Sequence, residues 1–302
     1  MVKSLVLENI SVGFKLPQGV FYAVDDVSLN LQGGNFTAII GESGCGKSVL
    51  GQAILNILPS GVVKKGRVLY NGEQVKKILS AFGIIPQNPS ESLNPVRKIG
   101  KQMQDILAVH NITDGDNSYK KQCLRLFGLQ EAERVLAAYP HELSGGMLQR
   151  VLCAMAVSSK PEWILADEPT KGLDEQVGAV VRKNLLTIKQ DLRLSMLIIT
   201  HDIALAQEVC DDVLVMYAGQ VLEHNADIWH KPLHPYTKGF LQALPKNGLQ
   251  VIPGKAPVPG ESFTGCKFAA RCPYCTTRCK EEMPAMQQVG NAEVRCFLYA
   301  EG

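Results

Sequence analysis

GESGCGKS, running from Gly41 to Ser48, fits the pattern G-x-x-x-x-G-K-[ST]. The apolar stretch Phe36 to Ile40 precedes it as a strand, and a helical pattern follows with Leu50, Ile54, Ile57 and Leu58 on one face. Glycines suit such a loop because backbone N–H groups must close around phosphate oxygens, where a Cβ obstructs them, and the following helix N-terminus adds a favourable dipole. The residues expected to line the phosphates are Gly41, Ser43, Gly44, Cys45, Gly46, Lys47, Ser48 and Val49, with Lys47 reaching the β- and γ-phosphates and Ser48 the Mg²⁺ ion. A chance glycine-rich turn does not bring the strand, the helix and the Lys-Ser pair together. The expected chemistry is binding and hydrolysis of Mg-ATP.

Two further strand ends carry matching groups. Trp163 to Ala166 leads into Asp167 and Glu168, which places two carboxylates where the C-terminal edge of a sheet meets a nucleotide. Asp167 is expected to hold Mg²⁺ through water, and Glu168 to polarise the water that attacks the γ-phosphate. Met196 to Thr200 ends in His201 and Asp202, so His201 falls on the same edge and can contact the γ-phosphate. Between these halves, Ser144 is a fitting N-cap for a helix through Arg150 to Val157, and Gly145 and Gly146 leave its N-terminus open to an anion. One chain already has one phosphate loop, so this second anion site is expected to serve the nucleotide of another subunit.

With 302 residues and 46% hydrophobic content, the chain can bury one large core with an appendage. A formal net charge of +2 creates no whole-chain field, and nucleic acid is not an expected partner. Met1 to Ile10 alternates like an edge strand and lacks the unbroken apolar core of a signal peptide. The longest apolar stretches fall far short of the roughly 20 residues that cross a bilayer. A soluble, cytosolic chain is expected.

Strands and helices alternate through the first two-thirds, which predicts an α/β layer with a mainly parallel sheet. Between Asn88 and Ser158 the strand signals vanish, and Ile99, Met103, Ile106 and Leu107 repeat at helical spacing, so a helical subdomain is expected at about 90–158. After Glu223 the texture changes: Pro232, Pro235, Pro245, Pro253, Pro257 and Pro259 interrupt it, and five cysteines follow between Cys266 and Cys296. The expected division is an ATPase domain over 1–225, with an antiparallel N-terminal part, and an extension over 226–302.

The ordered set of phosphate loop, Gln87, Leu143 to Gln149, Ala166 to Pro169, Leu173-Asp174 and Thr200 to Asp202 resembles the ATPase subunit of ABC transporters over residues 1 to about 225. The resemblance implies a head-to-tail dimer in which each ATP lies between one subunit's loop and the other's signature, Ser144, Gly145, Gly146 and Gln149. It also implies that Phe14 stacks on adenine, with Phe21 and Tyr22 as rivals, and that Gln87 senses Mg²⁺ and the attacking water beside the membrane subunit.

Gln87-Asn-Pro89, Ser92 to Pro95 and His234 to Thr237 are similar to the peptide and nickel importer group, and Leu58 to Val62 with Tyr139 to Arg150 look closest to its nickel-type subunits. That group implies import, a second related ATPase as heterodimer partner, two permease subunits, an extracellular solute-binding protein and a place on the cytoplasmic face of the membrane. The substrate is then nickel or another chelated metal, or an oligopeptide or dipeptide. A soluble ABC-type ATPase acting on ribosomes or DNA is the rival, and it usually needs tandem ATPase modules or a long coiled coil.

Cys45, Cys123, Cys153 and Cys210 are scattered as small core or loop residues, whereas five thiols crowd the tail. In a reducing cytosol, crowding favours metal over disulfides, and tetrahedral thiolates suit Zn²⁺ or an iron–sulfur cluster. The tail resembles that of peptide-importer ATPases, which implies a [4Fe–4S] cluster on Cys266, Cys272, Cys279 and Cys296 and leaves Cys275 as the departure.

Overall fold

The computed structural model describes residues 4–17, 19–74, 81–173, 175–192, 194–245, 248–258 and 261–300; Asp174 therefore lies outside the described residues. Two sheets organise them. In the first, β1 (Leu5–Leu16) and β2 (Gly19–Leu31) form a long hairpin, β4 (Val63–Tyr70) pairs with the other side of β1, and β5 (Glu73–Gln74) extends β4. The N-terminal segment is thus not an edge strand. Leu5 and Leu7 alternate as predicted, an irregularity between Leu7 and Ile10 shifts the phase so that Ile10 and Val12 are buried as well, and the interior place depends on β4, whose pairing the local pattern does not encode.

The second sheet has the order β11-β12-β10-β9-β3-β8-β7-β6, where β3 is Phe36–Gly41, β6 Phe82–Ile85, β7 Trp163–Asp167, β8 Ser195–Ile199, β9 Asp212–Tyr217, β10 Gln220–Asn225, β11 Gln287–Val289 and β12 Ala292–Val294. From β6 to β9 every pairing is parallel, and β10 to β12 are antiparallel. Strands β3 and β8 are apolar without alternation because both of their faces are covered.

Helix α1 (Lys47–Leu55) leaves the loop directly behind Gly46, whose left-handed backbone sets its start. The expected helical insert is present between β6 and β7: α2 (Pro89–Ser92), α3 (Ile99–Val109), α4 (Ser118–Leu126), α5 (Ala132–Ala137) and α6 (Gly145–Ser158). Ile99 and Met103 of α3, Leu124 of α4 and Val151 and Leu152 of α6 share one apolar core with Ile164 and Ala166 of β7, so the insert is packed onto the sheet. Helix α7 (Glu175–Thr187) ends in a π-helical turn, Ile188–Leu192, and α8 (Ile203–Val209) follows β8.

The proline-rich tail is less separate than its texture suggests. Helix α9 (Pro235–Gln242) and α10 (Thr277–Glu281) are short, as the prolines require, yet the β11–β12 hairpin continues the second sheet through β10. His224 of β10 bonds Asp212 of β9 and Glu293 of β12, at 3.2 Å each. Tyr217, Tyr236 and Phe268 pack ring to ring at 4.6–5.4 Å, each contact adding about 0.5–1.5 kcal/mol beyond its buried area.

Candidate nucleotide site

Strand β3 is central in the second sheet, so the phosphate loop emerges at the C-terminal edge, where a parallel sheet offers its crevice. Two of its glycines are required sterically. A Cβ on Gly41 (φ 149°) would stand 2.2 Å from the Met216 carbonyl, and one on Gly46 (φ 104°) 2.1 Å from the Ala23 carbonyl. The backbone of the loop is therefore pressed against β9 and β2. Ser43 and Gly44 are exposed at the rim, while Cys45 is buried and burial pushes its thiol pKa up. Val49 is half-buried against the apolar core under the first sheet.

Lys47 is 8% exposed, and its ammonium donates to the carbonyls of Gly41 at 2.9 Å and Glu42 at 3.0 Å. A cation so enclosed faces the bowl of the loop, where phosphate oxygens suit it. Ser48 Oγ donates to Asp167 Oδ1 at 3.2 Å, which brings two hard oxygen donors together from α1 and β7. Burial raises the Asp167 pKa, so a cation placed there gains by relieving a poorly solvated carboxylate. The residues present fit Mg-ATP.

Strands β7 and β8 run parallel with Asp167 opposite Ile199, which sets the residues after each strand side by side. Glu168 has φ 52° and donates its N–H to the Ile199 carbonyl at 2.8 Å; its carboxylate meets His201 Nδ1 directly. A left-handed glutamate costs of order 1 kcal/mol or more and marks a side chain held for use. Thr170 Oγ1 donates to Asp202 Oδ2 at 3.1 Å, and Asp202 caps α8 by accepting from the Leu205 N–H at 3.0 Å, so the two loops are bound together. Gln87 is exposed just beyond β6, the strand beside β7. Sequence reading missed Thr170 and its bond to Asp202.

Other expected residues lie elsewhere. Phe14 is half-buried against the core of the first sheet, whereas Phe21 and Tyr22 line a cavity of about 380 Å³ with Gly44 of the phosphate loop, so the rivals are the aromatics beside the loop. Ser144 caps α6, accepting from the Met147 N–H at 3.3 Å, and with Gly145 and Gly146 it lines a groove shared with Arg150, Leu173 and Val177 but not with the phosphate loop. Gln149 departs from the expectation that it faces a partner's nucleotide: it is 2% exposed, and its amide donates to the Pro169 carbonyl at 2.9 Å, tying α6 to the loop after Glu168.

Sequence reading also missed two contacts from the tail. Tyr236 Oη accepts from the Glu42 N–H at 3.1 Å, and the Arg271 guanidinium donates to the Glu42 carboxylate. No local pattern reveals partners about 200 residues away. In the tail, Cys266, Cys272, Cys279 and Cys296 line one cavity of about 170 Å³, while Cys275 bonds the Thr276 carbonyl. Among the described residues, no three His, Cys, Asp or Glu side chains are arranged to hold a metal ion, so their placement gives no support to the expected [4Fe–4S] cluster or to the alternative Zn²⁺.

The ABC transporter family description matches residues 24–171, and that of the oligopeptide/dipeptide transporter C-terminal region matches residues 222–279. The chain is 34% identical to the oligopeptide transport ATP-binding protein OppD of Haemophilus influenzae, covering 98% of each. It is 36% identical to the dipeptide transport ATP-binding protein DppD of Escherichia coli, covering 95% of this chain and 94% of that protein. Among solved structures, a dimeric ATP-binding cassette in a post-hydrolysis state bound to ADP and Pi is similar, with TM-score 0.63, 25% identity, and coverage of 73% of this chain and 97% of that one. CbiO1 from Clostridium perfringens matches with TM-score 0.61, 26% identity and coverage of 74% and 88%. OppD and DppD carry oligopeptide and dipeptide transport in their names and not nickel, so the nickel-type preference finds no support in them. With an ABC fold, the loop and carboxylates at one sheet edge, and relatives matching nearly end to end, the chain belongs to the ATP-binding subunits of ABC transporters, of the oligopeptide/dipeptide importer type.

Proposed function

We propose that this chain hydrolyses Mg-ATP at the Gly41–Ser48 loop to energise uptake of short peptides. The supporting observation is the convergence of Lys47, Ser48, Asp167, Glu168 and His201 on one sheet edge. The loop N–H groups and Lys47 orient the β- and γ-phosphates, and Ser48 and Asp167 would hold Mg²⁺, which would supply charge neutralisation on the phosphate oxygens. Glu168 accepts the proton of the attacking water, and His201, touching the same carboxylate, orients it toward the γ-phosphate. Glu168→Gln in the assembled transporter should lower kcat about 10²–10⁴-fold with ATP binding retained; hydrolysis at the parental rate sinks the general-base role.

The separate groove at Ser144 to Gly146 supports a head-to-tail pairing with a second ATPase, each signature closing on the other subunit's nucleotide. This chain sits at the cytoplasmic face of the membrane, and two permeases contacted near Gln87 and an extracellular solute-binding protein complete the assembly. Co-purification with a permease and a second ATPase tests this, and recovery with ribosomes overturns it. No helix among the described residues is long and apolar enough to cross a membrane, so the crossing falls to the permeases.

In the tail, we propose a [4Fe–4S] cluster held by the thiolates of Cys266, Cys272, Cys279 and Cys296, and the cavity that those four side chains share supports it. Anaerobic purification should yield iron and sulfide in equal amounts. Absence of iron, sulfide and zinc overturns any metal role.

A further inference from the structure

The C-terminal extension reaches the phosphate loop through two basic side chains, each next to a cysteine of the tail cavity. Arg271 precedes Cys272 and is only 7% exposed at its side chain. Its guanidinium donates to both Glu42 carboxylate oxygens at 3.1 Å and to Tyr217 Oη at 3.3 Å, and its Nε donates to the Pro253 carbonyl at 3.1 Å. Glu42 is the second residue of the loop. Its N–H is held by Tyr236 Oη, and its carbonyl accepts from Lys47 at 3.0 Å, so a continuous line of contacts runs from Arg271 through Glu42 to Lys47.

Lys267 follows Cys266 and braces the opposite wall. Its ammonium bonds the Asp25 carboxylate at 2.8 Å and the Ala218 carbonyl at 2.9 Å. The adjacent Gly219 donates its N–H to the Cys45 carbonyl at 2.9 Å and accepts from the Asp25 N–H at 2.9 Å. The loop is thus gripped from both sides by residues about 220 positions downstream.

A guanidinium–carboxylate pair this enclosed gives up hydration, which good geometry and filled hydrogen bonds only just offset, so its main return is a single conformation. A phosphate cradle benefits directly from that, because ligand affinity falls with the fraction of molecules whose loop is competent. We infer that Arg271 is a positioning residue for ATP binding: by fixing Glu42 it holds Lys47 and the loop in their phosphate-receiving shape, with Lys267 steadying the far side. The inference rests on Gly41–Ser48 being the ATP loop.

The test is equilibrium titration of the full chain with Mg²⁺ and a fluorescent ATP analogue carrying its label on the ribose, alongside thermal melting. Arg271→Gln and Glu42→Gln should each weaken binding about 5–30-fold, and the double variant should be no weaker than the weaker single one. Arg271→Lys should recover part of the loss, and Glu282→Gln, elsewhere in the tail, should bind within about twofold of the parent. In the assembled transporter, KM for ATP should rise while kcat stays within about twofold, a split that general loss of folded protein does not produce. Parental affinity in both single variants, or losses that multiply in the double, overturns the inference. If Arg271→Gln fails to fold, Glu42→Gln, at a side chain 26% exposed, decides together with Arg271→Lys. Lys47→Ala separates the two readings: parental binding there removes the loop as ATP site, whereas lost binding there with parental affinity in Glu42→Gln removes only the positioning role.

Discussion

Single atoms decide much of this site. At Gly46, a methyl group meets the Ala23 carbonyl at 2.1 Å on a backbone with φ 104°, and neither strand β2 nor the start of α1 can withdraw without losing its own bonds. Gly46→Ala should lower stability by about 2 kcal/mol or more and abolish nucleotide binding, measurable by chemical denaturation and titration. Asp167 presents the opposite case. Burial holds its pKa above the ordinary carboxylate value, so the charged form weakens the nucleotide-free fold as pH rises past that value, and the cost is recovered when a cation binds. Asp167→Asn should therefore melt no lower than the parent without nucleotide, while Mg-dependent hydrolysis falls by about 10²-fold or more; a lower melting point contradicts this account.

At the scale of elements, the junction between core and extension depends on His224. Burial alone lowers its pKa, but the hydrogen bonds that its ring donates to the Asp212 carboxylate on β9 and the Glu293 carboxylate on β12 outweigh it and raise the value to about 9. A histidine pKa raised on folding contributes fully below the unfolded value near 6.5, and the contribution is lost as pH climbs through about 9. The stability gap between the parent and His224→Asn should accordingly be on the order of 2–3 kcal/mol at pH 6 and shrink steadily by pH 9.5, followed by urea unfolding. His234 behaves in reverse: burial pushes it down to about 3, leaving a neutral Nδ1 that accepts the Tyr236 N–H at the start of α9. Acidification below pH 6.5 therefore opposes that docking, and exchange protection of α9 amides should fall before that of β3.

For the whole molecule, the decisive feature is that the signature groove and the phosphate loop are separate surfaces of one chain. The signature groove at Ser144 to Gly146 shares no residue with the phosphate loop, so a bulky residue there should leave nucleotide binding to the isolated chain intact. Ser144→Arg is expected to keep ATP-analogue affinity within about twofold while cutting hydrolysis by the assembled transporter about 100-fold. Equal loss of both disproves the division.

The phosphate loop, Asp167, Glu168, His201 and Ser144 were legible in sequence because each is a local event, a strand end or helix start whose chemistry lies in neighbouring residues. The parallel core and the helical insert were legible for the same reason, since periodicities of 2 and 3.6 are short-range signals. What the linear chain withheld was partnership at a distance. Phe14, Phe21 and Tyr22 are equivalent by composition, and only the tertiary packing puts Phe21 and Tyr22 beside Gly44 and Phe14 against the core. Gln149 stands within an exposed motif yet turns inward, because one helical turn past the cap its side chain faces Pro169. The proline-rich tail announced its cysteines but not its grip on Glu42 and Asp25, which exists only once β10 and α9 carry Lys267 and Arg271 back to the loop. Sequence by itself determined the reaction, since bond-making groups must be near neighbours of the backbone that presents them; the tertiary structure alone decided what holds that site in shape, since hydrogen bonds between residues over 200 positions apart leave no local trace.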